Sequence, residues 1–259
     1  MTVSSILITG GTSLVAAALI RQTHSQSNAK PVVALSRSAL PEASASRVHY
    51  VRGSVFDTDC LNSVLRGNPN VVHTVGAFLD DNNESAGTLY EHINCDSSIV
   101  VACAMADKFD VNNDLSHQRR ALVYFSVAEG FPDFIFDQDF VNSKREAEAA
   151  LLGIEFRNRV RVVIFRPGLI YSFHQRFGIL PLAFGLYVIG SMMRPLRSYI
   201  PRNLHFLTDL PIQDDDIANA VFEAVDNKAV EGVCDGDRIR LLARAWKTKK
   251  TRANLLLHG

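Results

Sequence analysis

The sequence predicts an α/β fold built on a doubly wound parallel sheet, with a small lobe towards the C-terminus. Short apolar runs rich in Val and Ile recur along most of the chain, as buried parallel strands do. Helix-forming stretches lie between these runs, and strands that alternate with helices form parallel sheets. The first run leads directly into the Gly-Gly turn at Gly10 and Gly11.

The individual elements follow from these patterns. Six strand-length runs, each bounded by polar residues or Gly, occupy residues 5–9, 32–36, 48–51, 71–74, 121–126 and 160–165. Stretches with helical character occupy residues 14–22, 89–105, 141–152 and 213–227. The last of these opens with three consecutive Asp residues, which favour a helix N-terminus.

Composition limits the function classes. The 259 residues are 47% hydrophobic, with 27 basic and 27 acidic side chains. This length predicts one large domain or two small ones. We assign a single domain to residues 1–242, with a lobe at about 168–230 that covers the C-terminal edge of the sheet. A zero net charge provides no field to hold a polyanion, so we expect no nucleic-acid partner. The four cysteines are scattered, without the spacing of a zinc site, and we expect reduced thiols and no metal.

Two C-terminal segments bear on membrane contact. The apolar run at residues 177–190 is shorter than the roughly 20 residues of a spanning helix and contains Pro181, so we expect it not to span. Residues 238–252 carry seven basic side chains and no acidic one. We interpret residues 243–259 as a solvated or frayed basic tail; contact with an anionic partner or a peripheral membrane surface is the alternative.

The Gly-Gly turn is the first candidate binding motif. A G-x-x-G-x-x-G spacing is realised here as Gly10, Ser13 and Ala16. In a Rossmann fold such a turn brings backbone N–H groups of a helix N-terminus to a pyrophosphate. The predicted contacts are Gly10, Thr12, Ser13, Leu14 and Val15; a plain turn after a strand is the alternative.

The end of the second strand predicts which dinucleotide binds. NAD-preferring folds usually place an acidic residue there, whereas this chain has Ser36, Arg37 and Ser38. An arginine can pair with a 2′-phosphate. The predicted cofactor is therefore NADP(H); an ordinary surface arginine is the alternative.

From residue 6 to about 242 the chain resembles the extended, atypical branch of the short-chain dehydrogenase/reductase superfamily. Segment 53–57 is similar to the family's adenine-contacting segment, and segment 72–76 to its ribose-supporting turn. The resemblance also implies a structural Asn, a catalytic Ser and a turn that meets the nicotinamide. The residues it assigns are Ser54, Val55, Thr74, Val75, Gly76, Asn94, Ser126, Pro167, Gly168 and Leu169.

The chain departs from the family's Y-x-x-x-K motif. Lys144 is retained, but Phe140 stands where the family has Tyr. In the family's mechanism the Tyr hydroxyl gives a proton to the carbonyl oxygen and the Lys lowers its pKa. The catalytic set that remains is Asn94, Ser126 and Lys144, and Lys144 can still hold the hydroxyls of the nicotinamide ribose. We expect impaired carbonyl reduction unless Ser126, water or another residue supplies the proton.

A narrower resemblance rests on segments 123–132, 142–148 and 163–171. They resemble the members associated with coenzyme Q (ubiquinone) biosynthesis in fungal mitochondria and, more distantly, the dehydrogenase-like accessory subunit of respiratory complex I. This implies NADPH binding, a quinone-like substrate, a coenzyme Q biosynthetic complex as partner, and the matrix side of the inner membrane. The residues before Ile6 lack the Arg-rich pattern of a presequence, so the sequence itself does not predict import.

The lobe supplies a candidate substrate pocket. Its apolar side chains are Phe173, Phe177, Leu180, Phe184, Tyr187, Met192, Met193 and Tyr199, with Arg176, Arg194 and Arg197 at the rim. Packing of the same residues into the core is the alternative. The function is either a weak oxidoreductase or a cofactor-bound assembly subunit; an NADP(H) sensor is a third reading.

Overall fold

The structure, a computed structural model, describes residues 5–25, 30–38, 47–67, 69–76, 86–108, 119–130, 137–175 and 177–258. The strands of this part of the chain are β1 Ile6–Thr9, β2 Val32–Ser36, β3 Val48–Arg52, β4 Asn70–His73, β5 Arg120–Phe125, β6 Val160–Phe165, β7 Ile170–Tyr171, β8 Ile212–Gln213 and β9 Gly232–Cys234. The helices are α1 Leu14–His24, α2 Thr58–Val64, α3 Ala86–Tyr90, α4 Ser97–Asp107, α5 Gln138–Leu151, α6 Ile154–Arg157, α7 Leu180–Met193, α8 Asp214–Asp226 and α9 Gly236–His258. A π-helix, Glu91–Asp96, joins α3 to α4.

The predicted fold class is confirmed. Seven parallel strands form one sheet in the order β3-β2-β1-β4-β5-β6-β9. The order reverses beside β1, which is the switch point at which doubly wound sheets bind ligands. The six predicted runs are β1 to β6. Strand β9 was not predicted, because three residues beginning with Gly232 do not form a recognisable apolar run.

Helices cover both faces of the sheet, as expected for buried parallel strands. Side chains of a strand alternate between the two faces. Accordingly, Ile6 and Ile8 belong to the core beneath α1, α8 and α9, while Leu7 belongs to the core beneath α2, α4 and α5. All three side chains are buried. The side chains of β1 therefore pack against helices on both faces, and the sheet lies between two helical layers.

One buried arginine joins β6 to the end of α8. The Arg161 guanidinium donates hydrogen bonds to the backbone carbonyls of Ala224, Val225 and Val230, at 2.9, 3.1 and 2.5 Å. Two of these acceptors lie in the last turn of α8, where the carbonyls lack intrahelical partners and the helix dipole favours a cation.

The chain enters and leaves the lobe at a small pair of parallel strands, in which Ile170 of β7 is opposite Ile212 of β8. Between them, α7 and the 3-10 helices that adjoin it make a continuous helical segment, Phe177–Tyr199. Within the described residues, this 23-residue segment alone is long and apolar enough to cross a membrane, by length and composition only. The sequence-based estimate of the segment was too short, because the chain remains helical beyond Gly190.

The C-terminal segment is a helix where the sequence favoured a solvated or frayed tail. Helix α9 continues past the predicted boundary at 242 and packs on α8, with Leu242 buried and Trp246 stacked on Phe222 at 5.6 Å between ring centroids. Lys247 and Lys249 form ion pairs with Asp216 and Glu223 of α8. Part of the basic charge therefore holds two helices together. Helix α8, placed in the lobe by the sequence, belongs instead to the core of the sheet.

Candidate functional site

A cavity of about 230 Å³ opens where the chain leaves β1, β2, β3 and β4. The predicted binding residues that line it are Gly10, Thr12, Ser13, Ser36, Arg37, Ser38, Ser54, Val55, Thr74, Val75 and Gly76. The structure thus brings together segments that are spread along the chain from Gly10 to Gly76. The described lining residues do not include the predicted contacts Leu14, Val15, Lys144, Pro167, Gly168 and Leu169.

Gly10 allows two turns of the chain to approach each other closely. Its φ of +84° lies in the left-handed region, and a Cβ there would lie 2.8 Å from Thr74 Oγ1 and 2.9 Å from Val75 N. The glycine is therefore required by the neighbouring turn after β4, independently of any ligand. Substitution of Gly10 tests folding as well as binding.

The N-terminus of α1 faces this turn. Ser13 is its N-cap: the Ser13 hydroxyl accepts a hydrogen bond from Ala16 N at 3.1 Å and donates one to Thr74 Oγ1 at 2.8 Å. Its proton is therefore used within the protein. As the first two helical residues, Leu14 and Val15 have backbone N–H groups without an intrahelical acceptor, which is the arrangement that binds anions.

Arg37 gives the cavity its charge. Of the described side chains that line the cavity, only Arg37 is charged, and none is a carboxylate. Arg37 is exposed at the end of β2, and beside it Ser38 N donates a hydrogen bond to Ser36 Oγ at 3.3 Å. The cavity wall therefore favours an anionic ligand over a neutral one.

Sequence reasoning did not name Phe56 or Ile93 individually as contacts, although both line the cavity. Phe56 lines it and stacks on His92, with ring centroids 4.2 Å apart and an interplanar angle of 10°. Ile93 lines it from the π-helix. Both were within reach of the sequence, because Phe56 lies in segment 53–57 and Ile93 precedes Asn94. Their side chains provide an apolar surface on which a planar ring can pack.

The departure from Y-x-x-x-K is built into the core. Phe140 and Lys144, one turn apart on α5, are both buried. The Phe140 ring packs edge-on against Tyr90, with centroids 5.8 Å apart. Lys144 Nζ donates a hydrogen bond to the carbonyl of Phe125 at 3.2 Å and lies 5.0 Å from the centre of the Tyr124 ring. The lysine remains in place without the phenol.

Burial changes the proton affinity of Lys144. Loss of hydration lowers the pKa of its ammonium group from 10.5 to about 8, against the opposing effect of the Glu148 carboxylate. Tyr124 does not replace the missing phenol, since its hydroxyl donates to the carbonyl of Asn94 at 3.1 Å and burial raises its pKa. Lys144 is therefore an acid that gives up its proton more easily than an exposed lysine.

Asn94 and Lys144 meet at the Gly76 end of the cavity. A Cβ on Gly76 would lie 3.2 Å from both Asn94 Oδ1 and Lys144 Nζ. Asn94 Nδ2 donates to Ser143 Oγ at 3.2 Å, which fixes the amide. The π-helix places Asn94, and single π-turns within α-helices occur frequently at functional sites. Two of the three predicted catalytic residues are thus adjacent.

Ser126 has different partners. Its hydroxyl accepts a hydrogen bond from Arg145 Nη1 at 3.3 Å and donates one to Glu148. Burial raises the pKa of Glu148, but its hydrogen bonds with Arg166 and Ser126 and the charge of Arg145 outweigh burial and hold that pKa below its usual value. Ser126 is therefore part of an ion-pair cluster, not of the cavity lined by Gly76.

The turn of Pro167, Gly168 and Leu169 depends on the same cluster. Arg166, which precedes the turn, binds Glu148 of α5 through Nε at 3.0 and 3.1 Å. The Pro167 carbonyl accepts a hydrogen bond from Ala128 N at 3.0 Å, and the Leu169 carbonyl accepts one from Ile212 N at 2.9 Å. The turn is held against α5 and β8.

A second cavity, of about 380 Å³, lies in the lobe and is lined by Tyr171, Phe173, Leu180, Ala183, Phe184 and Tyr187. Four of the predicted pocket residues line it, whereas Phe177, Met192, Met193 and Tyr199 do not. Arg194 and Arg197 are paired with Asp237 and Asp209, at 2.6 and 3.0 Å, and Arg176 lies outside the described residues. Across the described residues, no group of three or more His, Cys, Asp or Glu side chains is placed to hold a metal ion.

The fold agrees with the comparison with known families. Residues 6–181 match the model of the NAD dependent epimerase/dehydratase family. The chain belongs to this family. A curated relative, MIOREX complex component 2 of Saccharomyces cerevisiae, is 24% identical over 222 residues, which are 72% of this chain and 78% of the relative.

Solved structures of similar fold include two with NAD bound. DesIV, a dTDP-glucose 4,6-dehydratase from Streptomyces venezuelae with NAD and TYD bound, gives a TM-score of 0.63 at 15% identity over 89% of this chain and 74% of its own. WbmG from Bordetella bronchiseptica, in complex with NAD, gives 0.60 at 19% identity over 89% and 71%. At these identities the likeness shows a common fold.

Proposed function

We propose that this family member binds NADP(H) and acts as a weak oxidoreductase of coenzyme Q biosynthesis on a quinone-like substrate. One observation carries the cofactor assignment: the described wall of the cavity after β1, β2 and β4 has Arg37 as its charged side chain and no carboxylate. A carboxylate in that position would repel a 2′-phosphate, whereas a guanidinium binds it.

The remaining residues fit the other parts of such a cofactor. The N–H groups of Leu14 and Val15 suit a pyrophosphate, and Phe56 with Ile93 suits the adenine. Lys144 and Asn94 suit the second ribose, next to Gly76. When bound, a nicotinamide dinucleotide supplies or accepts a hydride.

Proton delivery limits the chemistry of the chain. Phe140 has no proton to give, and Ser126 is bound within the Arg145 and Glu148 cluster. Lys144 then becomes the candidate acid, because burial lowers its pKa to about 8. General acid catalysis raises the reaction rate by about 100 to 10,000-fold. Because the usual phenol is absent, we expect slow turnover.

Titration of the purified chain with NADPH and NADH, by calorimetry and by nicotinamide fluorescence, tests the cofactor. We expect tighter binding of NADPH. Equal affinity for the two cofactors would refute the NADP(H) assignment, and binding of neither would refute the dinucleotide site.

A cofactor-bound assembly subunit is the second candidate, and two observations favour it. Phe140 removes the usual acid, and the yeast relative is by name a component of a complex, MIOREX. The proposed location, from the resemblance to coenzyme Q proteins, is the matrix side of the inner mitochondrial membrane. Cells that lack the chain are expected to lose ubiquinone. Rescue by a Lys144→Met variant would favour assembly, and failure of rescue by a variant that still binds NADPH would favour catalysis.

A further inference from the structure

Helix α7 carries several large apolar side chains that are exposed to solvent. Ala183, Leu186, Gly190 and Met193 face the protein at helical spacing. The rest of α7 presents an apolar face to solvent, here called the α7 face, whose members are Leu182, Phe184, Tyr187, Val188, Ile189 and Met192. Phe184 is 71% exposed and Met192 is 73% exposed. Contiguous apolar patches that are exposed on a protein surface mark interaction sites.

We propose that the α7 face inserts into a lipid surface, with the helix lying in the plane of the membrane. At about 100° per residue, the six side chains cover about 200° of the helix circumference. A flat protein partner contacts only one side of a helix, whereas lipid acyl chains can surround most of the circumference of a helix that protrudes from the protein. The shape of the α7 face therefore fits lipid better than a second protein.

The hydrogen bonding of α7 also fits a hydrocarbon environment. An unpaired polar group is costly in lipid. Besides the Tyr187 phenol, the polar side chain on the exposed side is Ser191, and its hydroxyl donates to the Tyr187 carbonyl at 2.7 Å. Helix α7 itself contains no charged residue, from Leu180 to Met193.

The connections of the segment decide its orientation. Because β7 and β8 pair directly, the chain enters and leaves the lobe at the same place on the body. Gly190 packs closely on the lobe, where a Cβ would lie 2.9 Å from Leu210 Cδ2. A helix tied to one body before and after its apolar length lies on the membrane and does not cross it.

The charge near α7 favours an anionic membrane. From Ser172 to Thr208 the chain has four arginines and no Asp or Glu. Arg194 and Arg197 follow α7 directly. They are paired with Asp237 and Asp209, but their side chains remain 43% and 45% exposed. Tyr199, 85% exposed, lies beside them. Arginine and tyrosine side chains place a polar end among lipid headgroups and an apolar part below them.

The lobe cavity shares two residues with this surface. Phe184 and Tyr187 belong both to the α7 face and to the wall of the cavity. An inserted α7 would therefore open the apolar cavity towards the bilayer interior. This consequence rests on the proposed quinone-like substrate, whereas the membrane contact itself does not.

Vesicle flotation of the full chain tests the proposal. We expect the wild type to float with vesicles of phosphatidylcholine and phosphatidylglycerol, and less with phosphatidylcholine alone. The double variant Phe184→Ser, Met192→Ser should lose at least about tenfold in partitioning, because it lacks two apolar side chains that the wild type buries in the bilayer. Ile154→Ser is the matched control, since Ile154 is 84% exposed on α6, away from the lobe; it should float like the wild type.

Two further measurements separate the alternatives. Thermal melting and NADPH binding of the double variant should match the wild type, which shows that the fold and the cofactor site are intact. In a Phe184→Trp variant, brominated phosphatidylcholine should quench the added fluorescence. Unchanged flotation of the double variant would overturn the proposal. So would a wild-type dimer that ignores vesicles and becomes monomeric in the double variant, since the α7 face would then be a protein interface.

Discussion

The ammonium group of Lys144 lies 6.0 Å from the centre of the Phe140 ring, one turn earlier on the same side of α5. In the family motif that separation joins a phenol to its activating cation. Here the cation faces a ring without a hydroxyl, and both side chains are buried. The site keeps the lysine cation that lowers the pKa of the family's tyrosine, and it lacks the tyrosine hydroxyl.

Restoring the hydroxyl should restore catalysis. We expect Phe140→Tyr to gain about 100-fold or more in NADPH-dependent reduction of a quinone or carbonyl panel, the contribution of a general acid. The double variant Phe140→Tyr, Lys144→Met is the control and should lose most of this gain. If neither the wild type nor Phe140→Tyr reacts while both bind NADPH, the catalytic proposal is wrong and the assembly role remains.

Removal of Arg37 should separate the two cofactors. We expect Arg37→Ala to weaken NADPH binding by about 1 to 3 kcal/mol, the range of a hydrogen bond to a charged group, and to leave NADH binding nearly unchanged. Arg52→Ala is the control, because Arg52 is exposed at the end of β3 and does not line the cavity. Equal losses for both cofactors in isothermal titration would contradict the assignment.

The lowered pKa of Lys144 predicts a rise of stability at alkaline pH. Between the folded value of about 8 and the unfolded value of 10.5, the unfolded chain binds one more proton, so the free energy of unfolding increases with pH. Relative to Lys144→Met, the wild type should gain on the order of 3 kcal/mol across this window. Urea unfolding at pH 7.5 and 10.5 measures the difference. Lys228→Met, at an exposed site, should show no such trend.

His73 predicts a loss of stability in acid. Its buried ring bridges Thr9 Oγ1, at 2.8 Å, and Ser97 Oγ, at 3.0 Å. Burial, and secondarily the charge of Lys144, lowers its pKa from 6.5 to about 3. From pH 6.5 to 4 the unfolded chain binds the extra proton, so the wild type should lose on the order of 3 kcal/mol more than His73→Asn. His49→Asn, at an exposed position, should follow the wild type; a His73→Asn curve parallel to the wild type would contradict the assignment.

The sequence predicted most of the sheet because its strands are buried on both faces. Runs such as Val160–Phe165 are then apolar at nearly every position and stand out from their neighbours. The sequence did not predict strands β7, β8 and β9, because strands of two or three residues are too short to show a pattern of apolar residues. Their pairing depends on contacts between distant parts of the chain.

The cavity was predictable where the residues follow strand ends, as Gly10, Arg37 and Thr74 do. The partners of Ser126 were not, because Arg145 and Glu148 reach it only after α5 packs beside β5. Gly10 illustrates a second limit. The sequence suggested space for a ligand, whereas the structure gives that space to Thr74 and Val75.

Arg161 has a consequence for synthesis on the ribosome. Its last acceptor, the Val230 carbonyl, is 69 residues further along the chain. Until that residue emerges, β6 cannot enter the core without carrying an unpaired guanidinium with it, which is strongly unfavourable. We therefore expect β6 to enter the core only after α8 and β9 are made, and we expect a chain that stops before Val230 to be a substrate for chaperones or proteases.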